Sequence, residues 1–73
     1  MPEIRIVSEV AGRICALPRE VGAAVSEGDE LIFVEAMKME IPVASPSAGT
    51  IKTIVVAIDD VVAEGQLLAI IAV

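Results

Sequence analysis

The amino-acid sequence predicts an all-β fold: a flattened β-barrel or sandwich of two short antiparallel sheets, built by internal duplication. Three observations carry that reading. Val and Ile supply 21 of the 73 residues, while Phe33 is the only aromatic. Such stiff, β-branched side chains favour pleated strands and fill the space between sheets. Turn-forming clusters recur at short intervals: Pro18-Arg19-Glu20, Glu27-Gly28-Asp29, Ser45-Pro46-Ser47, Asp59-Asp60 and Glu64-Gly65. Third, the chain matches itself when shifted by 37 residues, with seven identities over the 26 positions from Ala11 to Ala36 and no gap. Ala11-Gly12 falls on Ala48-Gly49, Ile14 on Ile51, Val25 on Val62, Glu27-Gly28 on Glu64-Gly65, and Leu31 on Leu68. Leu17/Ile54, Val21/Ile58, Phe33/Ile70 and Val34/Ile71 add apolar-for-apolar matches.

The elements follow in order from the repeat. Each half places a strand after Gly12 or Gly49 and a short strand around Val25 or Val62. A Glu-Gly turn then leads into a longer apolar strand, Leu31-Ile32-Phe33-Val34 or Leu68-Ala69-Ile70-Ile71. Strand signals continue through Met39-Glu40-Ile41-Pro42-Val43, where Pro42 requires an edge or a bulge because it has no N–H to give a ladder. Residues 30–41 pose a conflict. Ala, Met, Leu, Lys and Glu are good helix formers, and no Asn-Gly pair marks a hairpin. The strand-like repeat partner decides the matter, and Met37-Lys38 is placed at the tip of a tight hairpin. Such a tip forces positive φ on a bulky side chain, at about 1–2 kcal/mol per residue. The repeat aligns Lys38 with Met1 and, in the other direction, with a position just past Val73. A quasi-twofold axis would then set the lysine at one pole and both chain ends at the other.

Composition excludes several classes of function. The formal net charge is −6, from 11 acidic and 5 basic residues. Nucleic-acid binding needs a basic patch, so no nucleic-acid partner is expected; charge of one sign instead favours a soluble, monomeric domain. No uncharged apolar run approaches the roughly 18 residues of a membrane helix, so no membrane partner is expected. There is no histidine, and lone Cys15, within Ile14-Cys15-Ala16-Leu17, reads as a buried, reduced thiol in a cytoplasmic protein. No nucleophile–base pair and no phosphate-binding glycine loop suggest an enzyme. Residues 1–73 read as one domain, with no linker or low-complexity tract.

The most informative segment is Glu35-Ala36-Met37-Lys38-Met39-Glu40. On spacing alone, Met37 and Met39 could be core residues and Lys38 a solvated charge. The string as a whole resembles the attachment motif of the biotinyl (biotin carboxyl carrier) domains of biotin-dependent carboxylases, in the biotinyl/lipoyl attachment family. The resemblance extends over nearly the whole chain. Glu27-Gly28-Asp29 lies upstream, Pro46-Ser47-Ala48-Gly49-Thr50-Ile51 resembles the family's Pro-x-x-Gly-x-Ile segment, and Gly65-Gln66-Leu67-Leu68 its Gly-Gln-x-Leu close. Some 35 residues follow Lys38, also as in the family. Two departures lie away from the lysine. Glu9-Val10-Ala11-Gly12 lacks the usual proline, and the Pro18–Gly22 loop lacks the lysine-rich turn of many relatives. There is no room for the protruding loop of some bacterial carriers.

The resemblance implies that Lys38 carries covalent biotin. Met37 and Met39 shape the tip for recognition, with Glu35, Ala36 and Glu40 in support and Gly28 and Gly49 structural. It implies three enzyme partners: a biotin protein ligase, which delivers an activated biotinyl-adenylate, a biotin carboxylase and a carboxyltransferase. The domain itself would catalyse nothing and would shuttle a carboxyl group between the last two. Two alternatives stand beside it. A lipoyl carrier domain of a 2-oxo acid dehydrogenase-type complex shares the fold but normally has Asp-Lys-Ala at its tip. An unmodified lipoyl-like interaction module would lack the lysine and carry long helices in the hairpin.

Overall fold

The computed structural model describes residues 2–73. Eight strands alternate with short turns: β1 (Glu3–Val7), β2 (Gly12–Ala16), β3 (Ala24–Val25), β4 (Glu30–Ala36), β5 (Met39–Ala44), β6 (Gly49–Ile54), β7 (Val61–Val62) and β8 (Leu67–Ala72). No helix occurs among the described residues, so the helix-forming composition of residues 30–41 yields to strand pairing. The strands form two four-stranded sheets, ordered β1-β8-β6-β3 and β5-β4-β2-β7. Every pairing is antiparallel. No ladder joins the sheets, and the fold is an unclosed sandwich. Pro42 lies on β5, an edge strand, as its missing N–H requires.

The duplication seen in the sequence is the symmetry of the fold. Shifting by 37 residues carries β1 onto β5, β2 onto β6, β3 onto β7 and β4 onto β8, and so exchanges the two sheets. Each sheet takes two strands from each half of the chain. The buried core follows the same rule in Ile14/Ile51, Val25/Val62, Leu31/Leu68, Ile32/Ala69 and Val34/Ile71, with Ile6 filling the space beside Val43. Two serines missed by the sequence alignment are also partners. Ser8 and Ser45 are buried, and their hydroxyls donate to the carbonyls of Val10 and Ser47 at 2.5 and 2.6 Å. Their carbonyls accept from the N–H groups of Gly65 and Gly28 at 2.7 and 2.8 Å. Each serine thereby ties a loop to the Glu-Gly turn of the other half, and among the described residues no buried side-chain polar atom lacks a hydrogen-bond partner.

Val21 and Ile58 occupy equivalent positions, and both are exposed because each belongs to a turn that leads into a two-residue edge strand. One sequence expectation changes. Cys15 is only half-buried: β2 points Ile14 into the core and Arg13 and Cys15 outward, and the Cys15 thiol donates to the Phe33 carbonyl at 3.4 Å.

The symmetry also fixes the poles. The described residues span 35 × 17 × 17 Å. From the hairpin at 37–38, the six residues of β5 run about 20 Å down the body. The chain then turns into Gly49, which lies against Ala72 and Val73. There the Val73 N–H donates to the Pro2 carbonyl at 3.0 Å, the counterpart of the Ala36–Met39 pair that closes the hairpin. The hairpin tip and the paired chain ends are therefore opposite poles, while Met1, the aligned partner of Lys38, lies outside the described residues.

Strands at the two poles approach closely only because of Gly12 and Gly49. A Cβ on Gly12 would collide with the Glu35 carbonyl and the Val34 side chain; one on Gly49 would collide with the Ala72 carbonyl and the Ile71 side chain. Gly12→Ala and Gly49→Ala should each destabilise the fold by about 3 kcal/mol, the upper range of overpacking costs, and by similar amounts. Urea unfolding of the two variants measures this, and strongly unequal losses would contradict the structural equivalence. At the tip, Met37 (φ 51°) and Lys38 (φ 64°) both adopt the left-handed conformation. A two-residue loop with positive φ at both positions is the type I′ turn, which Asn-Gly forms with little strain. Replacing Met37-Lys38 with Asn-Gly should therefore stabilise the domain by about 2 kcal/mol, raising Tm by roughly 10 °C; thermal unfolding by circular dichroism measures the shift.

Candidate functional site

Each residue singled out at the tip follows from strand alternation. In β4, Ile32, Val34 and Ala36 point into the core, while Phe33 and Glu35 point out. Ala36 is thus buried directly beneath the turn, opposite Met39. Beyond it the chain has no neighbour to pack against. Met37 is 88% exposed and Met39 62% exposed, so neither is a core residue. Lys38 is exposed between them and takes part in no ion pair among the described residues. A cationic amine thus projects from the pole, flanked by two flexible, polarisable thioethers. Exposed methionine stabilises nothing in the isolated domain, but it adapts readily to the surface of another protein.

Glu35 and Glu40 face each other across the β4–β5 ladder immediately below the turn. Like charges placed opposite each other in an antiparallel pair repel. The repulsion is offset by a residue that sequence reasoning missed. Arg13 on β2 pairs with Glu35, its Nη2 donating to Oε1 at 3.1 Å, and with Asp59, its Nη1 donating to Oδ1 at 2.5 Å. The hydrogen bond to Glu35 and then that to Asp59 raise the Arg13 pKa above its ordinary value. The signal in the sequence was the repeat itself: Arg13 and Asp59 stand opposite Thr50 and Gly22, neither of them charged.

The rest of the surface offers less. A groove of about 420 Å³ lies between edge strands β1 and β5, lined by Ile6, Val10, Ile41 and Val43 with Arg5 and Glu9 at its rim, and no residue of the tip reaches it. Among the described residues, no group of three or more His, Cys, Asp or Glu could hold a metal ion, and no helix is long and apolar enough to cross a membrane.

Comparison with known proteins places this geometry. The family model described as "Biotin-requiring enzyme" matches residues 2–71. The "Biotinylated protein TB7.3 homolog" of Mycobacterium leprae is 34% identical over 65 residues, covering 89% of this chain and 92% of that protein. The pyruvate carboxylase of Bacillus subtilis is 38% identical over 63 residues, covering 86% of this chain but only 6% of the carboxylase. Among solved structures, the Kluyveromyces lactis urea carboxylase superposes with a TM-score of 0.94 at 33% identity, over 99% of this chain and 6% of that one. The chain thus matches nearly the full length of one small relative and a minor part of large carboxylases. By sequence and by fold, this chain belongs to the biotinyl/lipoyl attachment family of biotin-requiring enzymes.

Proposed function

We propose that the protein is a biotin carboxyl carrier, with biotin attached through an amide to Nζ of Lys38. The observation that carries this reading is the position of Lys38: exposed, with no ion pair among the described residues, in a left-handed turn between two exposed methionines, at the pole opposite the chain ends. The names of the relatives, a biotinylated protein and two carboxylases, support biotin over lipoate as the group attached. Met37-Lys38-Met39 supports it as well, since the lipoyl alternative calls for Asp-Lys-Ala.

A lysine ammonium is a poor nucleophile at neutral pH, so the activation has to come from a ligase. Once deprotonated there, Lys38 Nζ attacks the carboxyl carbon of an adenylated biotin. The C–N bond forms, the bond to the adenylate oxygen breaks, and adenylate leaves with the electron pair. The amide is neutral, so the formal charge of the chain falls from −6 to −7. Met37 and Met39 meet the ligase, with Glu35, Ala36 and Glu40 supporting the contact. When attached, biotin supplies a ring nitrogen able to carry a carboxyl group; the domain supplies position and mobility. Its role is non-catalytic. A tethered group reaches a biotin carboxylase and a carboxyltransferase at high effective concentration, with no need to diffuse free. Net negative charge and a proline-bearing edge strand both oppose self-association, which supports a monomeric carrier over residues 1–73.

Incubation with biotin ligase, biotin and ATP should add a single biotinyl increment to the intact mass of the protein. Lys38→Arg, which keeps charge and fold, should add none. An unmodified wild-type protein of intact fold, or an increment that persists in Lys38→Arg, refutes the proposal.

A further inference from the structure

A duplicated fold provides an internal comparison: its two poles share a backbone, but only one bears the lysine. Just below the tip, one rung of paired residues crosses all four strands of its sheet: Glu40–Glu35–Arg13–Val61. The equivalent rung at the other pole is Glu3–Ala72–Thr50–Ala24. Only the glutamate on the outermost strand is common to both. Asp59, the second carboxylate on Arg13, likewise replaces the repeat's Gly22 and has φ 76° where the glycine has φ 93°. An aspartate tolerates that conformation less well than glycine, so its presence calls for a compensating interaction. Arg13 supplies it; the backbone bond from the Asp59 N–H to the Ile14 carbonyl at 2.8 Å is matched by that from Gly22 to Ile51 and is common to both poles.

The arrangement leaves Glu35 in a defined state. Its Oε1 is held by Arg13, while Oε2 has no hydrogen-bond partner among the described residues, and the side chain is 43% exposed. Arg13 is itself fixed from its far side by Asp59. A fixed carboxylate oxygen is a better acceptor for an incoming N–H than one that must first be ordered, because the entropy of ordering has already been lost.

We propose that Arg13 and Asp59 are positioning residues that set Glu35 for recognition by the enzyme that modifies Lys38, through an N–H donor of that enzyme to Glu35 Oε2. This inference rests on Lys38 being a biotinylation site, and it gives the asymmetry between the poles a role in recognition. Lys52, paired with Glu3 at the opposite pole, provides the matched control.

The experiment is steady-state biotinylation by a biotin ligase, with carrier concentration varied, for wild type, Arg13→Gln, Asp59→Gly, Lys52→Gln, Glu35→Gln and the Arg13→Gln/Glu35→Gln double variant. Circular dichroism confirms folding; the altered groups are all on the surface, and Asp59→Gly restores the residue natural to that φ. Arg13→Gln should raise KM about tenfold with kcat little changed, the loss of roughly one well-placed hydrogen bond. Asp59→Gly should raise it about threefold by the same argument, and Lys52→Gln should leave it unchanged. In the Glu35→Gln background, Arg13→Gln should have no further effect, because its action passes through Glu35. An unchanged KM in Arg13→Gln, or an equal rise with and without Glu35, overturns the inference while leaving Lys38 modified. Failure of the wild type to accept biotin overturns the underlying reading instead.

Discussion

Neither half of this chain can bury its own apolar residues, and the rest of the structure depends on that. Each sheet interleaves strands from both halves, so Ile14, Leu31 and Val34 have no core until Ile51, Leu68 and Ile71 arrive from the second copy. A 73-residue chain with a single aromatic builds a small core, and interleaving draws that one core from both halves. The buried serines serve the same end. Ser8 joins the first half to the Glu64-Gly65 turn, and Ser45 joins the second half to the Glu27-Gly28 turn, so each loop is completed by the copy it does not belong to.

A tightly interlocked body is what allows strain at the tip. Two left-handed residues without glycine or asparagine cost about 2–4 kcal/mol, a large share of the 5–15 kcal/mol typical of a whole domain. The cost persists because β4 and β5 are paired along their full length and Ala36 is held in the core beneath the turn. In return, the lysine is presented on a stiff, narrow support with two thioethers beside it. A loop with several more residues would remove the strain but would scatter the amine over many positions. Strain and presentation come from the same two φ angles.

Much of this was legible in the sequence, because the repeat translates directly into backbone. The Ala-Gly and Glu-Gly pairs at one offset locate the close strand approaches and the turns, and the strand character of residues 68–71 correctly overrules the helix propensity of residues 30–41. What escaped was set by contacts between distant segments. The Ser8/Ser45 pair lay outside the window in which identities were counted, and a serine gives no sign in sequence of being buried. Arg13 meets carboxylates 22 and 46 residues away, which no local pattern reveals. Apolar surroundings misled at Cys15, which strand alternation turns outward.

The symmetry bears finally on how such a domain can be used inside a larger protein. The twofold relation makes the closed hairpin at 36–39 and the open pair Val73–Pro2 equivalent places in the same architecture. One pole joins its two strands covalently and exposes a side chain; the other leaves two adjacent ends from which chain can continue. Any polypeptide attached there leaves the body at the pole opposite the lysine. The same backbone thus separates the chain ends from the exposed lysine without a specialised element for either. The charged rung Glu40–Glu35–Arg13 with Asp59 belongs to the hairpin pole alone; the equivalent rung at the other pole keeps only the glutamate, Glu3. Where both poles face the same folding constraint, as at Gly12 and Gly49, the copies have stayed alike.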